Sequence, residues 1–241
     1  MGRKIFIAGA SGAIGRRLSR LLVSRGWSVT GTTRSPEKTA MLRDLGVEPV
    51  VVNVFDATLL RKVVREATPE IVVHQLTDLP PALDPTKMAD ALIRNAHLRE
   101  VGTRNLVAAA VAAGVQRMVA QSIAFVYAPG PMPYGEDAPL HLAAGETVRA
   151  VASLEQQLLT APLTGIVLRY GKLYGPGTGF TSPPSGGPLH VDDAANAARL
   201  ALTHGEAGVY NIAEDDGTVS IQKATEMLGW KPGFRLDEYK R

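Results

Sequence analysis

Three observations in the 241-residue sequence predict an α/β fold built on a doubly wound parallel sheet. Short apolar runs alternate with amphipathic stretches along the chain, the pattern of parallel strands joined by right-handed helical crossovers. Runs such as 48–54 are nearly continuously apolar, as in strands covered on both faces. The third observation is Lys4-Ile5-Phe6-Ile7-Ala8, which runs directly into Gly9-Ala10-Ser11-Gly12-Ala13-Ile14-Gly15. That stretch reads as a buried strand, a tight turn and the start of a helix.

The glycines of that turn are each three apart. One tolerates turn angles closed to other residues, one lets a pyrophosphate approach the backbone, and one lets the helix pack on its strand. The helix that follows carries Ile14, Leu18, Leu21 and Leu22 on one face. It offers free N–H groups and its positive dipole end to a phosphate. A Rossmann-type dinucleotide site is expected, with Gly9, Ser11, Gly12, Ala13, Ile14 and Gly15 as its loop.

Further along, 27–34 reads as strand two, and Ser35-Pro36-Glu37 opens a helix that stops at Gly46. Residues 48–54 form strand three, 57–67 a helix and 71–74 strand four. A proline-containing loop, 77–86, leads to one long helix over 88–113 and strand five at 117–122. Residues 127–146 read as loop, 147–160 as helix and 164–169 as strand six. Residues 171–188 are read as loop, 191–204 as helix, 209–212 as a last strand and 219–228 as a closing helix. No linker divides the chain, so a single domain over 1–241 is expected.

Composition excludes several classes. With no cysteine there is no disulfide, thiolate metal site or cysteine nucleophile, which fits a cytoplasmic location. Met1 is followed almost at once by a strand, so no signal peptide is expected. No apolar run approaches the roughly 18 residues of a membrane span, so no membrane partner is expected. The net charge is +3, and Arg16, Arg17, Arg20 and Arg25 read as a solvated helix face. With aromatics at only 5%, no nucleic acid is expected as a partner. The histidines are dispersed without metal-ligand spacing, so no metal is expected.

The chain resembles the extended short-chain dehydrogenase/reductase family, the NAD-dependent epimerase/dehydratases. Besides the glycine loop, the carriers are Val72-Val73-His74, Gly102-Thr103-Arg104-Asn105-Leu106 and Ser122 through Tyr127. Later carriers are Arg169-Tyr170-Gly171-Lys172-Leu173-Tyr174-Gly175-Pro176-Gly177, His190-Val191-Asp192-Asp193-Ala194-Ala195 and Tyr210-Asn211-Ile212-Ala213. The resemblance implies strand order 3-2-1-4-5-6-7 and a small C-terminal substrate lobe, here a reduced one at about 170–190 and 209–241. It also implies a homodimer through 88–113 and 147–160, the second with Val148, Val151, Leu154 and Leu158 at helical spacing. His74 reads as a packed strand-end histidine. His190, Asp192 and Asp193 read as helix caps.

An acidic residue about twenty positions beyond the glycine loop normally holds the ribose of NAD. Here strand two ends Thr32-Thr33-Arg34, without one. Arg34 offers a donor fork for a 2′-phosphate, with the hydroxyls of Thr32, Thr33 or Ser35 to add hydrogen bonds, so NADP(H) is favoured over NAD(H). The resemblance places Asn53 and Val54 at the adenine and Gln75, Leu76 and Thr77 along the cofactor.

Only the twelve residues 178–189 separate Gly177 from His190, which favours a small carbonyl, polyol or sugar-like substrate. The family uses a hydroxyl after strand five and a tyrosine and lysine four apart on the next helix. Aligned through Tyr127 and Glu155, those positions are Ile123, Thr147 and Val151. The usual proton-transfer constellation is therefore absent. Tyr127, Tyr134 and Ser122 are the candidate substitutes, with Tyr174 and Lys172 behind them. The alternative to an oxidoreductase is an inactive NADP-binding sensor or partner subunit, or a redox-neutral isomerase or cyclase using the same cleft.

Overall fold

The computed structural model describes residues 2–236. Its elements are β1 (Lys4–Ala8), α1 (Ala13–Val23), β2 (Ser28–Thr33), α2 (Thr39–Asp44), β3 (Glu48–Val51), α3 (Ala57–Ala67) and β4 (Ile71–His74). There follow α4 (Met88–His97), α5 (Thr103–Ala112), β5 (Arg117–Ile123), α6 (Glu146–Leu159) and β6 (Thr164–Tyr170). The chain continues with β7 (Lys172–Tyr174), β8 (Pro188–His190), α7 (Val191–Ala201) and β9 (Gly208–Ile212). Seven strands form one parallel sheet in the order β3-β2-β1-β4-β5-β6-β9, as the alternation predicts.

Successive side chains of a strand face opposite ways, and both faces of this sheet are covered. Ile5 and Ile7 of β1 pack with Leu18 and Leu22 of α1 and with Val191 of α7. Phe6 points the other way, into a layer with Val72, Leu106, Leu154 and Val167. That double burial is why β1 reads as an unbroken apolar run.

The structure corrects four expectations. The long helix is interrupted by a π-helical turn at Leu98–Gly102, between α4 and α5. Residues 171–188 are not all loop, because β7 pairs in parallel with β8 as a second, two-stranded sheet. The closing helix shrinks to a π-helical turn at Ala224–Leu228, ended by Gly229 in the left-handed region. Val148, Val151, Leu154 and Leu158 are all buried in the chain's own core, so that stripe offers nothing to a second copy. Beyond α7, Asp193 pins the following segment: its carboxylate accepts from Gly233 N and Phe234 N and pairs with Arg235 at 2.7 Å. Among the described residues, no helix is long and apolar enough to cross a membrane.

Candidate functional site

The cleft begins where β1 ends. Gly9 has φ +89, and a Cβ there would lie 2.6 Å from the Gln75 carbonyl oxygen. A Cβ on Gly15 would come within 2.2 Å of the Gly9 carbonyl, so only glycine lets α1 sit this close to the turn. Gly12 is the cap of α1, and no side chain bonds the first-turn N–H groups. They open toward the cleft, an arrangement that suits a pyrophosphate.

Two adjoining compartments follow. The smaller, about 250 Å³, lies against the end of β2. Its lining includes Gly9, Ser11, Gly12, Thr33, Arg34 and Ser35, with Val54, Gln75, Leu76 and Thr77 opposite, all anticipated from sequence. Asn53 does not line it; its side chain accepts from Phe55 N at 3.1 Å and shapes the turn, while Val52 and Val54 face inward. Ile14 and Gly15 are buried beneath the loop and act by placing α1 rather than by facing the cleft. Sequence reading missed Lys38, four residues beyond Arg34, which faces both compartments. Thr32, expected to offer its hydroxyl to a 2′-phosphate, instead supports the turn, its Oγ1 accepting from Gly9 N at 3.1 Å. Arg34 reaches across to Asp78 at 3.1 Å, which holds the Asp78 carboxyl below its usual range.

The larger compartment, about 540 Å³, extends over the ends of β5 and β6. Ala13 and Arg16 border it on the α1 side; Ile123, Phe125, Leu154, Tyr170 and Phe180 give it an apolar wall. Among the described residues, none lining it is acidic. Two buried polar atoms at the cleft lack a partner, Arg16 Nε and Gln75 Oε1. Uncapped N–H groups, glycines that admit no Cβ and an unanswered guanidinium together fit a pyrophosphate-bearing dinucleotide. The basic face of α1 is thus not simply solvated. Arg17 pairs with Asp192 and donates to Pro176 O at 2.8 Å, tying α1 to the loop after β7.

The predicted proton donors lie elsewhere or are committed. Ser122 borders the larger compartment, but its hydroxyl donates to Glu155 Oε1 at 2.7 Å. Tyr127 is buried outside the cleft, donating to Asn211 Oδ1 at 2.6 Å and accepting from Arg169 at 2.8 Å. Burial raises its pKa further. Tyr134 stacks on Tyr127, its hydroxyl bonded to the Gly130 backbone. Tyr174 donates to Glu214, and Lys172 donates to Ser185 O at 2.8 Å. Thr147 does not line the cleft, and Val151 is buried against Val126 and Val148. His74 is a packed strand-end histidine, as expected, and burial lowers its pKa to about 4. Its Nδ1 accepts from Leu76 N, so Nε2–H donates to Thr103 Oγ1 at 3.0 Å. His190 caps α7 through Asp192 N, as anticipated. Asp192 and Asp193, expected as caps, instead bind Arg17 and Arg235 and the segment after α7, while His190 caps the helix.

The profile of a family described as NAD(P)H-binding matches residues 9–207. The chain belongs to that family. A 3-diazoavenalumate denitrifying reductase of a Streptomyces species is 39% identical over 91% of this chain and 78% of its own length. A 4-hydroxy-2-methyl-3-oxo-4-farnesyl-3,4-dihydroquinoline-1-oxide ketoreductase of Stigmatella aurantiaca is 32% identical over 53% of this chain and 35% of its own. Among solved structures, a UDP-glucose 4-epimerase of Thermotoga maritima superposes with TM-score 0.80 at 18% identity, covering 96% of this chain and 94% of that one. The fold is thus that of the extended short-chain dehydrogenase/reductases.

Proposed function

We propose that this chain is an NADP(H)-dependent reductase of a small molecule whose reduction needs no proton from a tyrosine–lysine pair. One observation carries the reading. The positions where the resemblance puts that pair and its hydroxyl are Thr147, Val151 and Ile123, and the phenol on the cleft wall is already committed. Tyr170 donates to Ala194 O at 3.3 Å, and burial raises its pKa.

When bound, NADPH supplies a hydride. The chain's own residues hold and orient. The α1 N-terminus and Arg16 would hold the pyrophosphate, and Arg34, Lys38, Ser35 and Thr33, which line the smaller compartment, would hold a 2′-phosphate. Among the described residues no carboxylate lines the smaller compartment, though Asp78 pairs with Arg34 at its mouth. A diazonium group is an acceptor of the required kind. Hydride plus Ar–N₂⁺ gives Ar–H and N₂, with no oxyanion to protonate, and the Streptomyces relative bears the name of a reaction on a diazo compound. A ketone is the second reading, favoured by the ketoreductase match. It would proceed slowly here, since a missing positioned acid costs roughly 10²–10⁴-fold.

The test is NADPH oxidation, with the nicotinamide C4 deuterated, on an arenediazonium carboxylate and a carbonyl panel, each against a protein-free control. Deuterium on the ring carbon with loss of N₂ is the expected result. Tight NADP⁺ binding with no turnover on either class would overturn the reductase reading in favour of a sensor or a redox-neutral enzyme. A homodimer is also proposed, now resting on the exposed Leu92 and Ile93 of α4. A monomer by light scattering at micromolar concentration would remove it.

A further inference from the structure

Two guanidinium groups face the larger compartment, and they come from opposite layers of the sheet. Arg16 belongs to the phosphate end, on the first turns of α1. Arg99 projects from the π-helical turn between α4 and α5. Such turns inside a helix re-aim side chains and occur frequently at functional sites. Gly102 closes this one, and a Cβ there would lie 3.0 Å from Val54 Cγ1, so the glycine lets the turn press against the segment that follows β3.

Arg99 is only 9% exposed, yet among the described residues no hydrogen bond or ion pair joins it to another side chain or backbone group. Glu155, the carboxylate whose field reaches it, is already occupied by Arg169 at 2.7 and 2.9 Å and by Ser122 at 2.7 Å. Burial lowers the Arg99 pKa to about 10, which leaves it charged at neutral pH. A largely buried guanidinium that opens only onto the compartment is well placed for a ligand of opposite sign. The planar fork of a guanidinium matches a carboxylate in two parallel hydrogen bonds. The compartment that Arg99 borders has Ile123, Phe125, Leu154 and Phe180 on its wall.

We propose that Arg99 binds the carboxylate of an aryl-carboxylic acid, whose apolar body fills the larger compartment. The inference deepens the reductase reading and rests on it for the acid's being the substrate; recognition of the anion does not depend on turnover. The test titrates 3-phenylpropanoate and its neutral counterpart 3-phenylpropanamide calorimetrically into wild type, Arg99→Leu and Arg99→Lys, each with and without NADP⁺. Wild type should prefer the carboxylate. Arg99→Leu should weaken it by roughly 30-fold or more while leaving the amide unchanged, and Arg99→Lys should recover part of the loss. Equal affinity of wild type for the two probes would overturn the proposal, whether or not Arg99→Leu folds. So would failure of the carboxylate to bind, or a loss in Arg99→Leu that falls on NADP⁺ instead. If carboxylate preference holds without any hydride transfer, the reductase reading fails and the anion site stands.

Discussion

Glu155 shows how residues that look chemical are used structurally. Its carboxylate receives Arg169 in two hydrogen bonds and Ser122 in a third, and Arg169 passes on to Tyr127 and Glu136 O. Replacing it by glutamine leaves a buried guanidinium without its countercharge, which costs about 3–5 kcal/mol. Urea unfolding of Glu155→Gln should show that loss. Tyr127→Phe should lose only about 1–3 kcal/mol, by stranding its partners, and any NADPH turnover should survive it. A collapse of kcat in a folded Tyr127→Phe would return Tyr127 to the chemistry. His74 makes stability pH-dependent. Its folded pKa, about 4, lies below the ordinary value of 6.5, so the unfolded chain takes up the proton first as pH falls. The contribution is full above pH 6.5 and is lost between 6.5 and 4, about 3 kcal/mol in all. Urea midpoints at pH 7.5 and 5 should separate by more in wild type than in His74→Asn. Sequence revealed these residue types and their positions. It could not reveal that each hydroxyl already has a partner from another element, because those pairings link residues such as Ser122 and Glu155 across the sheet and helix layers.

At the scale of elements, α1 is the most legible part of the chain and the most constrained. Its glycine spacing gives the turn, the approach of the helix and the open N-terminus together. Gly15→Ala places a methyl group against the Gly9 carbonyl, so α1 must back away from β1. Overpacking of this kind typically costs about 1–3 kcal/mol. The shift also moves the phosphate-facing N–H groups, so NADP⁺ affinity should fall together with the unfolding midpoint. Unchanged affinity in Gly15→Ala would show that α1 does not hold the cofactor. The elements that escaped sequence reading share a physical cause. Strands of three residues, as in β7 and β8, are too short to show an alternation. A π-helical turn has helical apolar residues on both sides and no break residue before it, so nothing in the sequence marks it off from α4 and α5. The apolar stripe of α6 was visible, but burial against the chain's own sheet and burial against a second copy leave the same spacing.

The whole molecule couples cofactor choice to stability. The chain carries a net charge of only +3, yet Arg16, Arg34, Lys38 and Arg99 converge on its cleft. Arg34 is held at the mouth by Asp78, which also lies 3.5 Å from Arg94. A 2′-phosphate competes with Asp78 for Arg34 and meets Lys38, whose ammonium no described carboxylate pairs. A ligand that binds only the folded state stabilises it by an amount set by its concentration over its Kd, about 2.7 kcal/mol at a hundredfold excess. For a chain of this length that corresponds to a rise in melting temperature of roughly 5–10 °C. NADP⁺ should therefore raise the melting temperature well above an equal concentration of NAD⁺. The difference should shrink with added salt, because the lysine and arginine are exposed. It should vanish in the Arg34→Ala, Lys38→Ala double variant, where no cation remains for the 2′-phosphate that distinguishes the two cofactors. Asp78→Asn should widen it by releasing Arg34 from its competitor. Equal shifts by the two cofactors in wild type would sink the preference for NADP(H) without touching the dinucleotide fold, because the glycine turn and α1 serve both.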